Sequence, residues 1–330
     1  MKKIFIILII VLLLVGGLFY LSRETADPGR QIEWGVTFSQ LFAQKMGPDW
    51  QEAYLEILDD LKIKKIRLIA YWPQVEPTDN VYNFSDLDWQ IEQASQRNAK
   101  VILAVGRKLP RWPECHEPGW INGQAIEIKN EKLLKYIEET INHYKDNSAI
   151  FAWEVENEPF LKFGECPPLD VGFLDQEIAL VRKLDSRPVI ITDSGELSLW
   201  IRAAKRADIF GTTMYRYVWH KWLGSYKYPI PTGFFRAKER ITRFFVGQQK
   251  PFLVIELQGE PWGQKQIYET TAEEQIKSMP LDRLKSTVDY GKKTGFSEYY
   301  LWGVEWWYSL KQNGHPEYWD YVKELINQSD

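Results

Sequence analysis

The sequence predicts an α/β fold, a single-domain (β/α)8 TIM barrel. Three observations predict it: short apolar runs alternate with longer amphipathic runs from residue 32 onward, the alternation recurs eight times, and two of the apolar runs end in a glutamate followed by turn-forming residues. Strand–helix alternation indicates a parallel sheet, and eight units favour closure into a barrel. A doubly wound sheet is the competing architecture, but no glycine-rich turn follows the first strand to support a nucleotide site.

Each predicted unit pairs an apolar run with a segment whose apolar residues recur every three or four positions. The predicted strands are 32–38, 65–71, 100–106, 149–156, 188–193, 208–214, 251–256 and 298–303. The predicted helices are 49–61, 86–97, 131–144, 172–185, 196–206, a helix near 232–247, 280–293 and 316–327. The units follow one another without an internal repeat or a low-complexity segment.

The N-terminal residues are unlike the rest. Lys2 and Lys3 precede an apolar run over 4–21, which is barely long enough to span a bilayer as a helix. A signal peptide usually has a shorter core and a small-x-small cleavage site, which 22–27 do not offer. We therefore expect 1–21 to be an uncleaved membrane anchor, with the two lysines in the cytoplasm and the rest of the chain on the extracytoplasmic face. Secretion after signal cleavage is the alternative.

The rest of the chain is predicted to be a tether followed by one barrel. Residues 22–31 are polar and contain Pro28-Gly29, as a tether would, and 32–330 form the barrel. The net charge is −4 and the sequence contains no cluster of basic residues, which argues against a nucleic-acid partner. Four scattered histidines lack metal-ligand spacing, so we expect no metal and no cofactor. We expect a monomer.

Two strand ends carry candidate chemistry. The apolar run over 150–155 breaks into Asn157-Glu158-Pro159, and the proline cannot continue a strand ladder. A second apolar run, Pro251-Phe-Leu-Val-Ile-Glu256, also ends in an acid. The carboxyl ends of barrel strands converge on one mouth, where TIM barrels place their active sites. The simpler alternative is that both glutamates cap strands on a solvated rim.

The stretch Trp153-Glu-Val-Glu-Asn-Glu-Pro159 resembles the strand-four motif of glycoside hydrolase clan A. These are retaining glycosidases built on a (β/α)8 barrel, and the resemblance is closest to cellulase-like, family 5-like members. It covers about residues 31–330. It implies that Glu158 is the acid/base, that Asn157 binds the sugar 2-hydroxyl, and that Glu256 is the nucleophile.

The resemblance implies two supporting residues. Arg67 lies within the second strand, and a buried arginine needs a partner, which it would keep ionised. The clan places an arginine here against the nucleophile, so Arg67 is expected to contact Glu256; a rim salt bridge is the alternative. Tyr215 ends the sixth strand, where the clan often has a tyrosine that donates to the nucleophile. Tyr217 faces the same side by strand alternation and is the near alternative.

Aromatic residues complete the expected site. Fifteen tryptophans are mostly core, although flat rings also suit sugar faces. Trp302 ends the eighth strand, where the clan's indole floors the subsite at which the bond is cut. Trp306 and Trp307 are expected to extend this platform, with one of them in the core. Plain packing is the favoured role of three further tryptophans at strand ends, Trp34, Trp72 and Trp112.

Three further expectations concern residues near the barrel mouth. Cys115 and Cys166 fall in loops at one barrel end, so an exported protein could pair them in a disulfide. Strand alternation puts Glu154 and Glu156 on the side of Glu158, so that one of them lines the barrel interior in a buried polar network. Many clan members carry a histidine after the third strand or before the strand-six tyrosine. This chain instead has Gly106-Arg-Lys108 and Thr212-Thr213.

The resemblance implies a retaining glycoside hydrolase that cleaves β-glycosidic bonds of an oligo- or polysaccharide by double displacement. Three alternatives stay open. A transglycosylase would use the same residues with a sugar hydroxyl in place of water. A catalytically inactive, cell-surface carbohydrate-binding barrel is the second. A metal-dependent aldolase or isomerase is the third, but it would want a lysine or a His/Asp cluster at the strand ends.

Overall fold

The protein is described by a computed structural model over residues 16–17, 19–23 and 30–328. The strands are β1 Glu33–Thr37, β2 Lys65–Ile69, β3 Lys100–Val105, β4 Ile150–Val155, β5 Val189–Asp193, β6 Ile209–Met214, β7 Tyr217–His220, β8 Gly224–Lys227, β9 Phe252–Gln258 and β10 Glu298–Trp302. Eight of them close into a parallel barrel in the order β1-β10-β9-β6-β5-β4-β3-β2, and β7 and β8 form an antiparallel hairpin. The predicted TIM barrel is confirmed.

Helices surround the barrel. Their bounds are Gln40–Met46, Trp50–Asp59, Trp72–Val75, Ser85–Gln96, Ile126–Tyr144, Val171–Leu184, Ile201–Arg206, Thr232–Val246, Ala272–Ser278, Leu281–Lys292, Val304–Gln312 and Glu317–Asn327, with 3₁₀ turns at Gly119–Ile121 and Ile267–Glu269. All eight barrel strands lie within two residues of their predicted bounds. One helix was predicted five residues too long: it begins at Ile201 because buried Trp200 has a positive φ of 61° and its indole N–H donates to Ser194 O.

The barrel interior is filled from the bottom by apolar side chains. A cluster from five strands packs there, made of Ile102, Ala152, Ile190, Leu253, Ile255 and Tyr300. The larger apolar core lies between the strands and the surrounding helices. Polar residues replace the apolar ones toward the carboxyl ends of the strands, so the charged groups of the mouth rest on a packed floor.

A register shift in β9 decides which side chains enter the barrel. Thr212 of β6 pairs with Val254, but the next residue, Thr213, pairs with Glu256. The extra residue is a β-bulge, and bulges re-aim the side chains that follow them. Ile255 joins the interior cluster and Glu256 also enters the lumen, although strict alternation would separate them.

The predicted anchor lies mostly outside the described residues. Among the residues that the structure describes, no helix is long and apolar enough to cross a membrane. The tether is described only at its ends. Of the described terminal residues, 20–23 lie against the helix Thr232–Val246, where Arg240 donates to the carbonyls of Tyr20 and Leu21.

Candidate active site

Arg67 organises the polar centre of the barrel. Its side chain is fully buried, which excludes the rim salt bridge. Nε and Nη2 donate to the two oxygens of Glu154 at 2.6 and 2.5 Å, and Nη1 donates to Glu256 Oε1 at 2.6 Å. Nη2 also donates to Asn157 Oδ1 at 2.9 Å. One guanidinium therefore holds the carboxyls of Glu154 and Glu256 and the carboxamide of Asn157 in fixed relative positions.

Glu256 accepts a hydrogen bond on each carboxyl oxygen. Arg67 occupies Oε1, and the Tyr215 hydroxyl donates to Oε2 at 2.9 Å. Burial and the nearby negative charge of Glu256 raise the pKa of Tyr215 well above its ordinary value, so the phenol keeps the proton that it donates. Both partners are donors, which suits a carboxylate, because an ionised carboxylate only accepts hydrogen bonds. Tyr217 instead lies in β7, where its backbone is bonded to the Gln258 side chain.

Glu158 lies just beyond β4 in a different environment. Its backbone has a φ of 44°, in the left-handed region that non-glycine residues adopt only when the surroundings enforce it. Two contacts enforce it: its N–H donates to Thr192 Oγ1 at 2.7 Å, and Lys108 Nζ donates to its carbonyl at 2.9 Å. The Thr213 hydroxyl donates to Oε1 at 3.0 Å.

The proton on Glu158 is favoured by its surroundings. Burial raises the pKa of Glu158 well above its ordinary value, and the negative charges of Glu256 and Glu114 raise it further, against the opposing charge of Lys108. The two strand-end glutamates therefore have different surroundings. Glu256 accepts hydrogen bonds from a cation and a phenol, whereas burial and nearby negative charges raise the pKa of Glu158.

The alternation expected along the fourth strand stops at its end. Glu154 lines the barrel interior against Arg67, as expected, but Glu156 does not share that side. Glu156 also has a left-handed backbone, with φ 59°, because β4 ends at Val155. Its carboxyl turns toward the third-strand loop and accepts from the backbone N–H groups of Arg107 and Lys108 at 2.6 and 2.7 Å. Side chains alternate between the two faces only within the strand, so the alternation does not extend to Glu156, which follows the end of β4.

Asn157 presents a fixed amide. Its Oδ1 is taken by Arg67, and its Nδ2 donates to Glu114 Oε2 at 3.1 Å. Sequence reasoning missed Glu114, which lies in the loop after β3. It also missed Lys108 and Thr213, although both lie where the clan's histidines are missing from this chain. The absence of those histidines was the feature of the sequence that could have pointed to Lys108 and Thr213.

Trp302 lines a cavity of about 250 Å³ together with Tyr215 and Glu114. Its indole N–H donates to Glu260 Oε1 at 2.8 Å, and the Arg111 guanidinium lies 4.0 Å from its ring centroid. Arg111 in turn pairs with Glu260 and with Glu305, the latter at 2.7 Å. Neither Arg111 nor its two carboxylate partners was predicted from the sequence.

The expectation for Trp306 is wrong. Its side chain is fully buried, its indole N–H donates to Gln275 Oε1 at 2.9 Å, and its ring packs on Tyr318. Trp307 is buried as well, with its N–H on the Gly259 carbonyl. Both belong to the core because the chain leaves β10 at Trp302 and enters the helix Val304–Gln312, which carries them away from the mouth.

Of the three further tryptophans predicted at strand ends, two pack in the protein interior and one lines the cavity. Trp34 stacks on Tyr299 at 5.2 Å between ring centroids, and Trp72 is buried with its indole N–H on Glu76, so packing is confirmed for these two. Trp112 lines the cavity and is 42% exposed, so plain packing is wrong for it.

Rings form a continuous row along the cavity. Tyr215 contacts Trp262 at 5.0 Å, Trp262 contacts Phe163 at 5.8 Å, and Phe163 contacts Trp112 at 6.1 Å between centroids. Phe163 and Trp112 project from neighbouring loops, which a disulfide between Cys115 and Cys166 joins.

The chain is similar to known proteins in sequence and in fold. A family model described as cellulase, glycosyl hydrolase family 5, matches residues 30–206, just over half of the chain. That segment includes Asn157 and Glu158 and ends before β9. The beta-galactosidase BgaA of Clostridium cellulovorans is 24% identical over 168 residues, which cover 44% of this chain. The match spans only 25% of that relative's length.

Solved structures share the fold. The exo-beta-1,4-mannosidase Op5Man5 from an Opitutaceae bacterium has a TM-score of 0.60 at 13% identity, with 94% of this chain and 62% of that chain covered. Xylanase 10B from Thermotoga petrophila has a TM-score of 0.56 at 15% identity, with 85% and 86% covered. At these identities the likeness concerns the barrel alone.

Proposed function

This chain belongs to glycosyl hydrolase family 5, a family of retaining glycosidases that act on β-linked sugars, and we propose that it cleaves an oligo- or polysaccharide by double displacement. Glu256 is the nucleophile and Glu158 is the acid/base. The observation that carries this assignment is the opposite environment of two buried glutamates at the ends of β4 and β9.

The reaction begins with a protonated Glu158 and an ionised Glu256. A carboxylate oxygen of Glu256 attacks the anomeric carbon while Glu158 transfers its proton to the glycosidic oxygen, so the leaving sugar departs as an alcohol. Glu158, now a carboxylate, then removes a proton from water, which attacks the anomeric carbon and releases Glu256. Retaining pairs of this kind lie about 5–5.5 Å apart.

The supporting residues act on the same two steps. Arg67 and Tyr215 hold Glu256 in place for attack and stabilise it again as it leaves. Asn157 presents its amide, fixed by Arg67, to a sugar hydroxyl near the anomeric carbon. The row of rings from Tyr215 to Trp112 supports an elongated glycan as the substrate, because the C–H faces of sugars pack on aromatic rings.

The test is release of reducing ends from a panel of β-glycans and aryl β-glycosides by the detergent-solubilised full chain. Glu256→Ala should abolish activity, and azide should restore it with a glycosyl azide product, because a small anion can replace the missing nucleophile. Glu33→Ala is the matched control, since Glu33 lies on β1 with its side chain 58% exposed. Equal activity in wild type and Glu256→Ala would contradict the nucleophile.

The same assay separates the alternatives. Transfer to added sugar acceptors in preference to water would identify a transglycosylase. Glycan binding without turnover by folded wild-type protein would identify an inactive carbohydrate-binding barrel. The stereochemistry of the first product, followed by NMR, should show retention.

We also propose that residues 1–21 hold the protein on the extracytoplasmic face of a membrane. Three observations support this: the apolar run behind Lys2 and Lys3, a disulfide of the kind that oxidising compartments preserve, and the seating of residues 20–23 on the helix Thr232–Val246. Exposed Phe244 and Phe245 on that helix would face the bilayer. Recovery from the medium of a mature chain that begins after residue 21 would contradict the anchor.

A further inference from the structure

A third carboxyl lies beside the two catalytic glutamates, and the double displacement does not use it. Glu114 is 7% exposed, and its Oε2 accepts from Asn157 Nδ2 at 3.1 Å. The negative charge of Glu114 raises the pKa of Glu158, and the negative charge of Glu256 raises the pKa of Glu114. A buried carboxyl that interacts electrostatically with both glutamates changes the pH at which each of them gains or loses a proton.

The protein constrains the backbone of Glu114. Its φ is 73°, a left-handed conformation that non-glycine residues adopt only when the surrounding structure enforces it. Its N–H donates to the Arg111 carbonyl at 2.8 Å, and its carbonyl accepts from the Leu109 N–H at 2.7 Å. These bonds form a tight turn that aims the carboxyl at Asn157.

The neighbouring loop reinforces this turn. Cys115, the next residue, is bonded to Cys166 of the loop after β4. Gly164 of that loop packs so closely that a Cβ there would come within 2.4 Å of Glu114 Cβ, and its φ of 84° also requires glycine. Two loops are therefore joined at the point where Glu114 enters the site.

We propose that Glu114 is a positioning residue of this active site, which orients the Asn157 carboxamide and acts electrostatically on Glu158. The proposal rests on the role of Glu158 as the acid/base. Glu114 touches Asn157 and acts on the reaction through its neighbours.

The charges around Glu114 come from several elements. Glu256 faces it from β9, Arg67 from β2, Lys108 from its own loop and Glu158 from the end of β4. Burial raises the pKa of Glu114 to about 8, with Glu256 adding to the rise and Lys108 and Arg67 opposing it. Once Glu114 ionises, its negative charge disfavours ionisation of Glu158, so the general acid keeps its proton at a higher pH.

The kinetic test compares the pH dependence of kcat/KM in wild type and Glu114→Gln. The alkaline limb should move to lower pH by about one unit, because the amide removes the charge. The glutamine side chain still offers a hydrogen-bond acceptor to Asn157, but alanine offers none. Glu114→Ala should therefore lose about a further tenfold in kcat/KM at every pH. Glu165→Gln, an exposed glutamate on the neighbouring loop, is the matched control.

A second measurement does not depend on activity. Protein labelled with ¹³C at glutamate carboxyls is titrated by NMR, and the Glu158 signal is assigned by its loss in Glu158→Gln. The Glu158 midpoint should fall by about one unit in Glu114→Gln. An unchanged midpoint would overturn the inference even if the enzyme hydrolyses glycans. A shifted midpoint in a protein that cleaves no β-glycoside would uphold the coupling and contradict the hydrolase.

Discussion

At the scale of the residue, the two roles proposed for glutamate follow from a difference in surroundings. Glu256 meets a guanidinium and a phenol, both of which donate hydrogen bonds to a carboxylate. Glu158 is buried beside other carboxyls, and burial raises its pKa. Double displacement needs one acid and one carboxylate at the same pH. The chain supplies that difference through the placement of Arg67, Tyr215 and Glu114.

The Tyr215 hydroxyl is the simplest of these supports to test. Tyr215→Phe removes the hydrogen bond to Glu256 Oε2 and leaves the ring against Trp262. We expect kcat to fall about tenfold to a hundredfold, the cost of one hydrogen bond to a charged group, with little change in folding stability. Steady-state kinetics check this, with Tyr217→Phe in the hairpin as the control. Equal losses in both variants would contradict the specific role of Tyr215.

At the scale of the element, the site is built where strands end. Barrel strands converge at their carboxyl ends, and two local irregularities refine the convergence. The bulge in β9 sends Glu256 into the lumen, and the left-handed residues after β4 turn Glu156 away while Glu158 stays in the mouth. The loops after β3 and β4 add Glu114 and two rings of the aromatic row, Trp112 and Phe163, and the disulfide joins these loops.

Removal of the disulfide should therefore affect both stability and catalysis. The Cys115→Ser, Cys166→Ser double variant opens a bridge between residues 51 positions apart. A native disulfide of this kind stabilises by about 2–5 kcal/mol. We expect a lower unfolding midpoint and a lower kcat/KM, because Glu114 adjoins the bridge. Reductant should lower the wild-type midpoint toward that of the variant and leave the variant unchanged. A wild type that keeps its midpoint when verified as reduced would contradict this prediction.

At the scale of the whole molecule, the mouth concentrates buried charge. One arginine holds Glu154 and Glu256, and a second, Arg111, pairs with Glu260 and Glu305. Glu305 Oε1 also accepts from the Ser39 N–H at 2.5 Å, which ties the helix after β10 to the residues after β1 where the barrel closes. Buried ion pairs of this kind are weak evidence for stability, because the cost of removing both charges from water offsets their attraction.

The raised pKa of Glu114 should make stability depend on pH. Its pKa is about 8 in the folded protein and about 4.5 ordinarily, so between these values the folded state binds more protons than the unfolded state. This carboxyl therefore destabilises the fold as pH rises through that window. We expect Glu114→Gln to gain about 1–3 kcal/mol relative to wild type between pH 5 and pH 8.

Urea unfolding at both pH values measures this gain. Glu165→Gln serves again as the control for loss of a carboxyl from the same region. A difference between wild type and Glu114→Gln that stays constant from pH 5 to pH 8 would show that Glu114 does not titrate as its burial requires.

The sequence by itself determined the barrel and its two principal glutamates. Apolar runs and amphipathic periods are local patterns, and strand–helix alternation leaves few ways to bury them, so the eight strands were predictable within two residues. Asn157, Arg67 and Tyr215 were predictable too, because a recognisable motif and the ends of predicted strands placed them at one mouth.

Tertiary structure alone decided the remaining contacts. The bulge that admits Glu256 depends on the pairing of β9 with its neighbours, which no local pattern shows. Trp306 was misplaced because burial on a helix depends on what packs over it, here Gln275 and Tyr318. Glu114 was missed because a charged residue in a loop looks solvated until a distant chain segment closes over it. Contacts between residues far apart in sequence, made only as the barrel closes, turn such a residue into part of the site.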